Sequence, residues 1–170
     1  SSDLAIHSFS PRLLINLGTC GGFAGRIQVG EIFLVESCLV YDIVERMGDA
    51  RVALENYATS LDLSFLHEPF PHAVRRGRIL SADQDIDPAS VPDLLEHYQA
   101  VVADWESGAI AWTATQNRVP CLILRGVTDL VSSQVGEAYN HIELFHDRSE
   151  EIMNTLLTAL PGWLRCCRLS

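Results

Sequence analysis

Two apolar runs in this chain end on acids. Ala100 to Ala103 leads into Asp104, with Glu106 beyond Trp105, and Cys121 to Val127 leads through Thr128 into Asp129. Strand ends in an α/β protein gather at one edge of the sheet, where such proteins keep their sites. If the first strand continues, Asp104 and Glu106 share a face. A carboxylate there can take both hydrogen bonds of a sugar diol. The same two residues also suit a helix start, with Asp104 as cap and Glu106 facing the positive end of the helix dipole. Asp129 can act as a general acid where burial or a hydrogen bond lifts it above the usual carboxylate value of about 3.9. Otherwise it caps the next segment. Arg125 is either its ion-pair partner or a structural support.

Gly18-Thr19-Cys20-Gly21-Gly22 follows the apolar run Leu13–Leu17. It reads as a turn whose glycines allow a sharp bend and close approach of a ligand to backbone N–H groups. It matches neither the dinucleotide fingerprint nor the phosphate loop. Ser107 lies outside a nucleophile elbow, which argues against a serine hydrolase. The six histidines are scattered and the cysteines have no paired spacing, so no metal is expected. Tyr139, Phe145 and Trp112 read first as packing residues, although an aromatic wall suits a purine.

The elements that must position these residues alternate between strand and helix. Leu13–Leu17 reads as a buried central strand, Ile32–Val40 as a long strand, and residues 49–60 as a helix. Ala73–Leu80 reads as a strand with a basic middle, and Ser81–Pro88 as an acidic loop. Val91–Tyr98 reads as a helix capped by Ser90, with Pro92 in its first turn. Glu106–Gln116 is a close-packed helix of small residues, ended by Asn117. The last helix spans Asp147–Leu160, with Ile152, Met153, Leu156, Leu157 and Leu160 as its apolar face and Asp147, Glu150 and Glu151 at its acidic start. This alternation places the chain in the α/β class.

Composition narrows the function. A net charge of −10 argues against nucleic acid, whose phosphates call for a basic face. A hydrophobic fraction of 48% over 170 residues suffices for the core of one domain. No apolar run is long enough to span a bilayer, no signal peptide is seen, and no basic amphipathic helix suggests a membrane surface. Cys20, Cys38 and Cys121 sit in apolar, strand-like contexts, which suggests buried free thiols in a reducing cytoplasm. Cys166 and Cys167 are adjacent and do not suit a mutual bridge. Ser1 begins the chain without an initiator methionine, and the first strand already needs neighbours on both sides. An N-terminal portion is therefore expected to be missing.

I-N-L-G-T-C-G-G-F, V-G-E-I-F-L-V, A-D-W-E-S-G-A-I-A and V-P-C-L-I-L-R-G-V-T-D resemble, in order and spacing, the purine nucleoside phosphorylase/uridine phosphorylase superfamily. Its 5′-methylthioadenosine/S-adenosylhomocysteine nucleosidase branch is the most similar. The resemblance covers Pro11 to about Ser133. It implies a three-layer α/β/α sandwich around a central mixed, partly barrel-like sheet. It implies a single domain over residues 1–170 that lacks the family's N-terminal strand or strands. It implies a homodimer and a role in methionine salvage, with a purine nucleoside as the partner and no cofactor.

The implied reaction is hydrolysis of a purine N-glycosidic bond. The resemblance makes Asp129 the acid at purine N7 and Glu106 the holder of the ribose hydroxyls. It places Trp105, where the family has Met, and Thr19, where it has Ser, beside the sugar. Gly21 lines the site and the Ile86 backbone reads the base edge. Asp85 stands where an apolar or aromatic residue normally packs on the base. It is either a contact to a base amino group or a solvent-facing residue. Asn16 occupies the position where phosphorylases carry a phosphate-binding Arg, which favours water as nucleophile. The family's water-activating Glu lies upstream of the matched part. A phosphate-dependent phosphorylase and a non-catalytic nucleoside-binding relative are the alternatives.

Overall fold

A computed structural model describes residues 2–44 and 46–169, and of residues 50 and 51 the backbone alone. Ser1, at the head of the segment expected to lack upstream strands, lies outside them. In chain order the elements are α1 (Ser2–Phe9), β1 (Leu14–Phe23), β2 (Ile32–Val40), α2 (Ala50–Glu55), β3 (Ala58–Ser60) and β4 (Arg75–Ser81). A 3-10 turn (Pro88–Ser90), α3 (Val91–Tyr98), β5 (Val102–Asp104), α4 (Ser107–Gln116), β6 (Cys121–Val131) and α5 (Ile142–Cys166) follow.

The six strands form one mixed sheet in the order β3-β2-β4-β5-β1-β6, and β2 also pairs with β6. That last pairing curls the sheet into a partial barrel. β2 gives one edge to β4 from Phe33 to Val40. It divides the other edge, with Ile32–Leu34 pairing β6 and Ser37–Leu39 pairing β3. Helices cover both sides: α4 lies on β2, β3 and β4, and α5 on β6 and β1. This is the α/β/α arrangement around a partly barrel-like sheet that the sequence implied.

Alternation along β6 shows how the strand serves both layers. Leu122 and Leu124 join Ile152, Leu156 and Trp163 beneath α5. Gly126 lies on that side too, where a Cβ would come within 2.2 Å of Ile152. Cys121, Ile123 and Val127 join Ala111 and Ala114 of α4 in the opposite layer. Arg125 shares that second face. The bulge at Thr128, where Val127 pairs with Cys20 but Asp129 with Gly21, then reverses the alternation, so Leu130 returns to the α4 layer and Asp129 points the other way.

Several expectations need correction. The glycine segment Gly18–Gly22 is not a turn but the second half of β1, which continues to Phe23. Its glycines answer to long-range packing. A Cβ on Gly18 would sit 1.8 Å from Arg125 Nη1, and one on Gly22 would sit 2.5 Å from Ile27. β1 is only half-buried over Leu14–Thr19, and helix α1 precedes it. The helix expected over 49–60 stops at Glu55, because Ala58–Ser60 pairs with β2 as β3. Ser90 makes no side-chain cap for α3, and its hydroxyl instead donates to the Asp87 carbonyl.

The final helix is longer than expected at both ends. Asp147, Glu150 and Glu151 therefore fall inside it, and Glu143 is the acid of its first turn. It continues through Pro161 because Trp163, fully buried, stacks on Phe70 at 4.9 Å and donates from Nε1 to His72. Leu157 and Trp112, expected to pack, are more than half exposed. The buried thiols Cys20, Cys38 and Cys121 are free, and Cys166 and Cys167 are unbridged.

Candidate active site

The ends of β1, β5 and β6, with the loops after β4 and β6, enclose a cavity of about 540 Å³. Asp129, Glu106, Trp105, Thr19, Gly21, Ile86 and Asp85 all line it. Every residue singled out as a site candidate in the sequence is thus brought to one place. Asn16 is not among the lining residues, and its buried amide nitrogen has no partner. A wider groove of about 930 Å³ runs along α5 past Pro71, His72 and Arg165, but none of its titratable side chains is buried.

Asp104 and Glu106 divide the two roles that the sequence left open. Asp104 is buried and fully engaged. Its Oδ1 accepts from Ser81 Oγ at 2.7 Å and from the Ser107 N–H at 3.1 Å. Its Oδ2 accepts from the Ser107 hydroxyl and from Arg125 Nε, the latter at 2.6 Å. Ser81 Oγ in turn accepts from the Gly108 N–H at 2.8 Å. Asp104 therefore anchors the start of α4. Arg125 is not the partner of Asp129. Its guanidinium pairs with Asp104 and extends Nη2 to Glu106 Oε2 at 3.4 Å. Glu106, 58% exposed at the side chain, presents a carboxylate at the cavity surface steadied from behind by a buried cation.

Asp129 sits at the other end with little support. Thr128 Oγ1 donates to its Oδ1 at 2.9 Å. Its Oδ2 faces Gly21, where an added Cβ would lie 3.9 Å from that oxygen and 3.2 Å from Ile86 Cδ1. The bare backbone of Gly21 keeps that approach open. A register shift between Cys20 and Gly21 brings Gly21 opposite Asp129, and such bulges re-aim side chains beside sites. Burial holds the Asp129 carboxyl above its ordinary range. The Thr128 hydrogen bond and Arg148 oppose this, while Glu137 and Asp85 reinforce it.

The loop after β6 closes the wall. Tyr139 Oη donates to the Ile86 carbonyl at 2.6 Å, tying that loop to the one after β4. Burial, with Asp85 and Asp129 adding to it, pushes the Tyr139 phenol up to about 12, so it keeps the proton for this bond. Phe145 lines the same wall, so Tyr139 and Phe145 face the cavity besides packing. Cys20 also borders the cavity, but burial raises its thiol and leaves no thiolate nucleophile. Asp93, Glu96 and His97 on α3 place ligand atoms within 4.8 Å of one another, and Asp93 and Glu96 are exposed.

Sequence reasoning did not single out Ser81 as a ligand of Asp104. Nor did it notice Tyr41, Gln84, Glu137 or Arg148. Ser81 ends a strand register that could not be read without its partner. Glu137 and Arg148 lie in segments read as loop and helix with no motif.

Arranged in this way, the cavity offers a buried carboxyl pushed above its ordinary range at one end and an exposed acidic side chain at the other. Among its described lining residues it carries no Lys, Arg or His. The sequence pattern of the phosphorylase superfamily matches residues 2–160. A 5′-methylthioadenosine nucleosidase of Arabidopsis thaliana is 29% identical over 133 residues, covering 75% of this chain and 47% of its own. The chain spans about half the length of such plant relatives. Two Helicobacter pylori structures share the fold. A 5′-methylthioadenosine/S-adenosylhomocysteine nucleosidase aligns with TM-score 0.75 and 16% identity, over 96% of this chain and 74% of that one. A futalosine hydrolase mutant aligns with TM-score 0.77 and 14% identity, over 96% and 73%.

Proposed function

Since the chain belongs to the phosphorylase superfamily, we propose that it hydrolyses the N-glycosidic bond of a purine nucleoside, such as 5′-methylthioadenosine or S-adenosylhomocysteine. The observation that carries this reading is the placement in one cavity of Asp129, whose carboxyl burial pushes above its ordinary range, and of the exposed carboxyl side chain of Glu106. Cleavage makes C1′ cationic and sends the bonding pair to the purine. Asp129 delivers its proton to N7, so that the base leaves neutral. Glu106 accepts from the ribose hydroxyls and steadies the growing positive charge. Thr19 and Trp105 lie against the sugar, Gly21 opens the approach to Asp129, and the Ile86 backbone and Asp85 meet the base edge. Water then adds to C1′ and releases a proton, which restores the protonated form of Asp129 and leaves the free sugar.

Water is preferred to phosphate because the cavity's ionisable lining residues include the acids Asp85, Asp104, Glu106 and Asp129 and no Lys, Arg or His. Arg125 is already committed to two of them. A phosphate dianion would enter a negative field with no free cation among these residues. The fit to a reducing cytoplasm rests on the buried free thiols. A homodimer is supported by the exposed apolar side chains Trp112, Val52 and Val44. Release of adenine from methylthioadenosine would place the protein in methionine salvage.

Incubation with methylthioadenosine, with and without phosphate, tests the reading. Free adenine and free methylthioribose, formed at the same rate in both, are expected. Strict phosphate dependence would establish the phosphorylase alternative. Tight binding without turnover would establish a nucleoside-binding protein. Light scattering at micromolar concentration checks the dimer.

A further inference from the structure

The strand segment that carries Asp129 is gripped on both sides by an ion pair that does not line the cavity. Arg148, reaching from α5, donates through Nη1 to the Thr128 carbonyl at 2.9 Å and to Glu137 Oε2 at 3.0 Å. Glu137, from the loop after β6, accepts from the Leu130 N–H at 3.4 Å through that same Oε2. Its own N–H donates to the Leu130 carbonyl at 2.9 Å. The two peptide groups flanking Asp129 are thus tied to one Glu–Arg pair. Neither residue of the pair is among those lining the cavity.

Resting on the reading of Asp129 as the acid, we propose that Glu137 and Arg148 are positioning residues for it. They lock Thr128–Leu130 so that the Asp129 carboxyl is aimed past Gly21 into the cavity, and they set the charge it experiences from behind. A carboxylate without this grip could rotate toward solvent, where it would lose its proton.

The charges that face Asp129 come from every side of the site. Thr128 of β6 donates to it, and Glu137 of the following loop reinforces its hold on a proton. Asp85, from the loop after β4, acts in the same direction, and Arg148 of α5 acts against both. Tyr139 and Cys20 are neutral neighbours whose own protons Asp129 helps retain. Glu137 is the nearest of these to a pure tuning group. Changing it to Gln keeps the size and an acceptor for Leu130 while removing one negative charge. Asp129 should then give up its proton at lower pH. The limb on which activity falls with rising pH should move down by about half a pH unit or more.

The experiment compares pH profiles of kcat/KM for methylthioadenosine in the wild type, Glu137→Gln, Arg148→Lys and Arg148→Met. It adds a carbon-13 NMR titration of the Asp129 carboxyl, which needs no turnover. Glu137→Gln is expected to shift both the limb and the NMR midpoint to lower pH, with KM changed less than about twofold. Arg148→Met is expected to lower the plateau of kcat several-fold, and Arg148→Lys to restore most of it. An NMR midpoint unmoved by Glu137→Gln overturns the tuning role. A kcat plateau unmoved by Arg148→Met overturns the positioning role. Should Arg148→Met fail to fold, Arg148→Ala takes its place, and a kcat plateau unmoved in that variant overturns the positioning role. If the wild type releases no base, the nucleosidase reading fails, while the titration still decides whether the pair governs Asp129.

Discussion

Asp104 and Asp129 are buried to the same extent, each with 8% of its surface exposed, yet they live in opposite surroundings. Asp104 collects Ser81, the Ser107 N–H and hydroxyl, and the Arg125 guanidinium. Asp129 receives the Thr128 hydroxyl and faces open cavity across Gly21. Asp104 is paired with a buried cation and several donors, whereas burial pushes the Asp129 carboxyl above its ordinary range. The first is a structural anchor that joins β4, β5, β6 and α4. The second is the residue proposed as the proton carrier. Depth of burial alone does not separate a structural acid from a reactive one, whereas the count and charge of its partners does.

Four substitutions would break or sharpen this contrast. Asp129→Asn should lower the rate of adenine release by about 10²–10⁴-fold, the usual contribution of a general acid, measured with methylthioadenosine at saturation. The same change should stabilise the fold at neutral pH. In the native protein the folded Asp129 holds its proton above the unfolded value. As pH rises through that window the unfolded chain ionises first, so stability falls. Asn cannot ionise, so its advantage in thermal melting should grow as pH rises above the ordinary carboxylate range. No growth in that difference would mean that Asp129 is no more strained than Asp104.

Asp104→Asn should do the reverse. It strips the buried Arg125 of its closest counter-charge and is expected to cost about 3–5 kcal/mol in denaturant unfolding. Ser81→Ala removes one donor to Asp104 and leaves the Gly108 N–H without its acceptor, for an expected loss of about 1–3 kcal/mol. The smallest effect is reserved for Thr128→Val. Losing the only hydroxyl on Asp129 Oδ1 should strengthen its hold on a proton. The high-pH limb of the activity profile should then move to higher pH with little change in stability. A move in the other direction would show that Thr128 acts on Asp129 through something other than its hydrogen bond.

The fold was legible where local pattern and tertiary role agree. Ile32–Val40 is β-branched and apolar because β2 is sandwiched between partners, and its limits could be read directly. Val91–Tyr98 was equally clear from Pro92 in its first turn, although the Ser90 cap expected beside it is not made. Gly18–Gly22 was misread because glycine signals a turn locally, whereas here it makes room for Arg125 and Ile27, which meet it only after folding. Pro161 argued against a helix that Trp163 and its aromatic contacts nevertheless sustain. At the site, the acids were visible as strand-end residues. Which acid was tied into a network depended on Arg125, Ser81 and Ser107 converging from three elements, and no spacing along the chain encodes that convergence.

Trp105, proposed as a wall beside the sugar, also makes the protein its own reporter. Of the three tryptophans, Trp163 is sealed beneath α5 and Trp112 lies outside the cavity lining. Trp105 alone is both 56% exposed and part of the cavity surface. A ligand settling against it would exchange water for a flat ring or a sugar face. The indole emission would then change at the moment of filling, allowing occupancy to be followed in real time without a label and independently of whether any bond is cleaved.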